Sequence, residues 1–157
     1  MKLAAGVEWA IHCCVVLSRA DGPVSAQRLA EFHGVSRTYL AKSLQALSRA
    51  GLVTSTEGRV GGYALDRPAE QISVLDVVLA VEGSEPAFRC TEIRRNGPFG
   101  AEPDECVEMC AVAAVMAKAE TAWRGALAEV SIADLAAHVA GITPPEQAAA
   151  VRAWLTH

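Results

Sequence analysis

Apolar residues recur at helical spacing from the start of the chain. Leu3, Val7, Ile11, Cys14, Val15 and Leu17 form one stripe within residues 3–20, and Asp21-Gly22-Pro23 ends the pattern, which predicts a first helix. Ser25 can cap a second helix over AQRLAEFH, closed by Gly34, and Ser36 can cap a third over RTYLAKSLQALSRA, closed by Gly51. The two meet at the four-residue turn HGVS. That is the arrangement of a helix-turn-helix, in which glycine permits the sharp turn and the later helix is free to enter a major groove. Beyond Gly51, LVTSTEGRVGGYALD reads as two short strands around a glycine-rich loop, a wing directly after a recognition helix. Ser73 and Asp76 resemble a capping box for a helix over VLDVVLAVE, which Gly83 ends. Residues 84–105 lack periodicity and carry Gly97, Pro98, Gly100 and Pro103; so long a loop in a compact domain points to function. From Val107 to Val130, Val112, Val115, Met116, Ala119, Trp123, Leu127 and Val130 recur every three to four positions. A helix of that length on a small domain usually packs against another chain. Ser131 with Asp134 caps a further short helix, and Pro144-Pro145-Glu146 opens a last one. The expected fold is mainly α with a small β-hairpin wing, a winged helix-turn-helix with a long dimerisation helix.

Composition supports a single packed domain with helical bias. The 157 residues are 52% hydrophobic but only 5% aromatic, and alanine-rich runs favour helices because Ala loses no side-chain entropy in them. The first eighteen residues are apolar, yet Glu8 and His12 interrupt them and no cleavage-type segment follows. No other stretch approaches the roughly 20 apolar residues of a membrane span. The expectation is a cytoplasmic protein without a membrane partner. In a reducing compartment its five cysteines read as metal ligands, reactive thiols or buried apolar residues rather than bridges.

Charge is unevenly spread. Residues 25–67 hold Arg28, Arg37, Lys42, Arg49, Arg59 and Arg67 against Glu31, Glu57 and Asp66, a local +3 within a chain of net charge -4. A basic module on an acidic body suits DNA, since phosphate neutralisation depends on the contacting face.

The run LAEFHGVSRTYLAKSLQALSRAGLVTSTEGRVGGYALDRPAEQISVLDVVLAVEG resembles the winged-helix regulators of the Rrf2 family, typified by IscR and NsrR. The likeness extends over nearly the whole chain. It implies a homodimer on a pseudo-palindromic double-stranded DNA operator, with Ser36, Arg37, Thr38 and Lys42 of the recognition helix meeting bases and phosphates. It also implies Arg59 at the wing tip in a minor groove, where narrow A/T-rich DNA concentrates negative potential. The division expected from it is 1–83 for the DNA-binding domain including helix one, 84–110 for a cluster-binding loop, and 111–157 for the dimerisation and C-terminal helices.

Several members carry an iron-sulfur cluster on three loop cysteines plus one further ligand, and here this chain departs from the pattern. Fifteen residues separate Cys90 from Cys106, Cys110 follows after three more, and Phe99 stands where a middle cysteine would be expected. Cys106 and Cys110 share a face if both are helical. Glu8 and His12, four apart, also share a helical face; that pair suits either metal coordination or a local hydrogen bond at the surface. The resemblance extends to the redox-sensing branch typified by RsrR, with its Glu/His/two-cysteine ligands. It implies Glu8, His12, Cys90 and Cys110 as ligands, with Cys106 as substitute. A long dimer helix after Cys110 would bring helix one of the partner subunit to the loop, so that the ligands are expected to be shared across subunits. Cys13 and Cys14 read as buried apolar residues.

Four such donors suit a [2Fe-2S] cluster, in which each iron needs two. A tetrahedral zinc accepts the same donors and is redox-silent. The expected function is a transcriptional regulator that senses redox state through the cluster, and not an enzyme. A zinc- or thiol-based regulator of the same fold is the alternative. A metal-binding enzyme is a weaker one, because no nucleophile-base pair, nucleotide loop or substrate motif accompanies the cysteines.

Overall fold

A computed structural model describes residues 3–58 and 61–156. In chain order it contains α1 (Ala5–Leu17), α2 (Ala26–His33), α3 (Arg37–Arg49), β1 (Val53–Thr56), β2 (Gly62–Leu65), α4 (Val74–Glu82), α5 (Ala111–Ala128), α6 (Ile132–Ile142) and α7 (Pro145–Thr156). Short 3-10 turns lie at Ala69–Gln71, Ile93–Arg95 and Pro103–Glu105. Two compact units result: Glu85–Ala126, and the remainder of the chain on either side of it.

In the larger unit, serines set the helix starts. Ser25, Ser36 and Ser73 accept hydrogen bonds from the backbone N–H groups of Arg28, Tyr39 and Asp76, satisfying donors a helix cannot satisfy internally. Gly34 closes α2 with φ 66°, a left-handed conformation that makes the tight turn into α3. Ala10, Cys13 and Cys14 of α1 pack with Leu29 of α2, Leu40, Leu44 and Leu47 of α3, and Val77 of α4, all fully buried.

The hairpin β1–β2 is antiparallel, with Val53 opposite Leu65 and Thr56 opposite Gly62. Val24, between α1 and α2, adds a bridge to it: its N–H donates to the Tyr63 carbonyl at 2.9 Å and its carbonyl accepts from the Tyr63 N–H at 2.8 Å. Gly62 lies so close to this crossing that a Cβ would stand 2.5 Å from the Val24 carbonyl carbon. The wing is thereby anchored to the helix-turn-helix by backbone contact that only glycine admits.

Residues after Ala126 return to the same core. Ile132 is fully buried, its N–H donates to the Ile72 carbonyl, and the Val74 N–H donates to the Val130 carbonyl, both at 2.8 Å. Ser73 and Ser131, each in a complete capping box, stand side by side in a β-bridge. This differs from the expected grouping of 111–157, because α6 buries its first turn against the N-terminal segment. α7 joins α2 through Arg28, which donates to the Trp154 carbonyl and lies over its indole ring at 4.8 Å.

Two expected helices have different bounds or faces. Leu3 lies outside α1 and is exposed, and the buried face centres on Ala10, Cys13, Cys14 and Leu17. The cause is that α1 is apolar nearly all round, so spacing alone selects no face. The long helix begins at Ala111 and not Val107, and it ends at Ala128.

In the smaller unit α5 buries no residue, leaving Val112 and Val115 61% and 67% exposed. Its opposite side holds the preceding loop. Glu120 accepts from the Ala87 N–H, from Trp123 Nε1 at 3.0 Å and from Arg124 at 2.7 Å. No helix among the described residues is long and apolar enough to cross a membrane.

Candidate DNA-binding face and metal-ligand residues

The amphipathic division of α3 builds the first site. Leu40, Leu44 and Leu47 face the core, which turns Ser36, Arg37, Thr38 and Lys42 outward, all exposed. Thr38 and Lys42, one turn apart, line a surface depression with Trp9 and Tyr39. Hydroxyl and ammonium donors on an exposed helix can meet phosphates and base edges. Arg59, expected at the wing tip, lies outside the described residues.

The four expected metal ligands divide between the two units. Glu8 and His12 are both exposed on α1 and line one shallow depression with Val7 and Ile11, so the structure brings this pair together. The cysteines belong to the other unit and are organised by an ion pair that hydrophobic spacing did not reveal. Glu92, in the left-handed region at φ 53°, offers its N–H to the Cys90 sulfur at 3.4 Å and its carboxylate to both Arg94 Nε and Nη2. Arg94 also donates to the Glu108 carbonyl at 2.8 Å, and its charge lies beside Cys106 and Cys110. The Glu92 carboxyl is held below the usual range, first by its hydrogen bond from Arg94. Cys106 and Cys110 are not helical, so they share no helix face; both feel the Arg94 charge.

Cys110 stands at the start of α5, where unsatisfied N–H groups gather. Hydrogen bonds from the Ala113 and Val112 N–H groups, followed by the Arg94 charge, hold its thiol below the ordinary value. The thiolate is the form that binds metals, so Cys110 fits a ligand role. Cys13 and Cys14 are opposite in character: fully buried, with thiols pushed up to about 12 by desolvation. The sulfurs of exposed Cys90 and partly buried Cys110, with one carboxylate and one imidazole, are chemically suited to a [2Fe-2S] cluster. Within this single chain, no three His, Cys, Asp or Glu side chains among the described residues stand together as a metal site.

Trp9, next to Glu8, leads from the Glu8/His12 pair to α3. Its Nε1 donates to the Tyr39 hydroxyl at 3.2 Å, and its ring meets Tyr39 and His33 edge-on at centroid distances of 5.7 and 5.8 Å. His33 meets His12 in the same way at 6.0 Å, and burial, then the His12 charge, lowers its basicity. Ser43 of α3 adds a bond to the Gly6 carbonyl of α1 at 3.1 Å. Tyr39 and His33 were not among the sequence candidates. The available signal was an aromatic residue three past the α3 cap, on a surface where a core role is excluded.

Residues 3–138 match the Rrf2 family, described as an iron-dependent transcriptional regulator. The chain is 38% identical over 138 residues to protein aau3 of Rhizobium meliloti (strain 1021), covering 86% of this chain and 84% of that protein. It is 41% identical over 92 residues to the HTH-type transcriptional regulator IscR of Cronobacter sakazakii (strain ATCC BAA-894), covering 57% of each. In fold it is similar to T. potens IscR, with a TM-score of 0.67 at 23% identity over 94% of this chain and 96% of that one.

Proposed function

This chain belongs to the Rrf2 family of transcriptional regulators, and on that premise we propose that it binds a pseudo-palindromic operator as a homodimer and senses redox state through a [2Fe-2S] cluster. It is a DNA-binding regulator and not an enzyme. Glu8, His12, Cys90 and Cys110 would hold the cluster, with Cys106 as the substitute sulfur. When bound, the cluster supplies one-electron oxidation and reduction.

The observation that carries the reading is the bond between Trp9 and Tyr39. Glu8 and His12 flank Trp9 on α1, and Tyr39 sits beside Thr38 on the DNA-facing side of α3. A small shift of the Glu8/His12 pair moves Trp9, and Trp9 has a polar and two ring contacts on which to act. Ser43 and Gly6 keep the two helix backbones in register, so the movement is passed to side chains of the recognition surface.

DNA affinity of the loaded protein is therefore expected to differ between oxidised and reduced states at constant iron content, by about 5- to 150-fold, the usual range of coupling between sites. Fluorescence anisotropy on an operator duplex, with iron and sulfide counted before and after, measures it. Tyr39→Phe should shrink the difference while leaving cluster content intact. Identical affinities in the two states would overturn the redox reading. The Arg94 charge felt by Cys106 and Cys110, with the Cys110 thiol held below its ordinary value, supports a second reading, a thiol-based switch. Iron-free protein whose DNA binding changes on thiol oxidation, and is insensitive to iron, selects it.

A further inference from the structure

We propose that the cavity between α1, α2, α6 and α7 is a binding site for a small aromatic or branched-chain monocarboxylate. The proposal goes beyond the cluster reading and shares one lining residue with it, His12. The cavity lies wholly within the larger unit and has a volume of about 240 Å³. At about 30 Å³ per water-sized group it holds a molecule of roughly eight such groups, smaller than a typical drug.

Its chemistry is divided. Val16, Phe32, Val139, Val151 and Leu155 supply apolar surface from all four helices. The one fixed charge that lines it is the Arg19 guanidinium, with the imidazoles of His12 and His33 as further polar groups, and no carboxylate lines it. His33 adds an unmet demand: its Nε2 is buried with no hydrogen-bond partner among the described residues, which is uncommon in a folded protein. A wholly apolar guest leaves the Arg19 guanidinium without a counter-charge, and a small inorganic anion leaves the hydrocarbon walls uncovered. A monocarboxylate satisfies both, with its body against α7 and its oxygens toward the Arg19 guanidinium.

The site has a route to DNA. α7 forms one wall and is tied to α2, the first helix of the helix-turn-helix, by the Arg28 contacts to Trp154. An occupant that displaces Val151 and Leu155 shifts the same helix that Arg28 holds.

Calorimetric titration of the iron-free full-length protein with benzoate, phenylacetate and isovalerate tests the proposal, with benzamide and acetate as controls. At least one of the three acids is expected to saturate one site per chain with Kd at or below about 1 mM. Benzamide, which lacks the charge, and acetate, which lacks the body, should each bind at least about tenfold more weakly. Arg19→Gln should weaken the acid by about tenfold. Ala148→Leu, which places a larger side chain in the cavity wall, should abolish binding with Tm retained. No saturation by any of the three acids up to about 10 mM overturns the proposal. Equal binding of acid and amide, or wild-type binding by both variants, overturns it as well. If Ala148→Leu fails to fold, the Arg19→Gln comparison decides alone, because Arg19 follows α1 in a half-exposed turn and is not part of the core.

Discussion

A heterodimer of a Cys90→Ala/Cys110→Ala chain with a Glu8→Ala/His12→Ala chain is expected to hold one cluster where the wild-type dimer holds two, while homodimers of either variant hold none. The reasoning starts from the division of donors, with Glu8 and His12 on α1 and the cysteines in Glu85–Ala126. α5 directly follows Cys110 and leaves Val112 and Val115 in water, an apolar surface suited to a second copy of the chain. If pairing through α5 brings the cysteines of one subunit to the Glu8/His12 pair of its partner, the mixed dimer contains one site with all four donors and one with none. If ligation stays within a chain, both sites lack two donors, and the heterodimer is as empty as its parents. Differently tagged chains, purified as the heterodimer and assayed for iron, sulfide and visible absorbance, separate these results.

Leu44→Ala should cost the protein about 3–5 kcal/mol, enough to remove a large part of the stability of a domain this size. Leu44 is fully buried on α3 between Leu40 and Leu47, where the helix meets Cys13 and Cys14 of α1. Truncation loses the transfer free energy of the side chain and leaves a hole that three helices cannot readily close. Urea denaturation followed by circular dichroism measures the loss. A change below about 1 kcal/mol would mean that α3 is not packed as described.

Signals that are local in the chain proved legible. Ser25, Ser36, Ser73 and Ser131 were each readable as caps, and each accepts the expected backbone hydrogen bond. Capping needs only the residue and its neighbours three positions on, so no distant partner can alter it. The paired strands followed from the same logic, with glycines and β-branched residues in short order.

Where the outcome depended on partners far along the chain, spacing was a weaker guide. Val107 continues the apolar rhythm of α5 yet is exposed outside it, because periodicity registers residue type and not whether a helix has been nucleated. The Glu92–Arg94 pair was invisible, since residues two apart face different ways in a helix and only the left-handed turn at Glu92 lets them meet. Ile132 falls within the expected 111–157 grouping of dimerisation and C-terminal helices; its N–H bond to Ile72 spans a separation no local pattern encodes. That Glu8 and His12 share one side of α1 was readable from their four-residue interval, while the connection of that helix to Tyr39 required the crossing of α1 and α3.

The burial of Cys13 and Cys14 turns the protein into its own reference for counting sulfur. Thiols held at about 12 are almost wholly protonated at neutral pH and are shut away from solvent, so a maleimide added to folded protein reports on the loop alone. Cys90, Cys106 and Cys110 are the three that can be labelled without a cluster. The proposed ligation through Cys90 and Cys110 would reduce the stoichiometry to one, and peptide mapping of that single adduct to Cys106 would identify the sulfur left outside the site. Denaturant raises the number to five, which calibrates every intermediate value on the same chain.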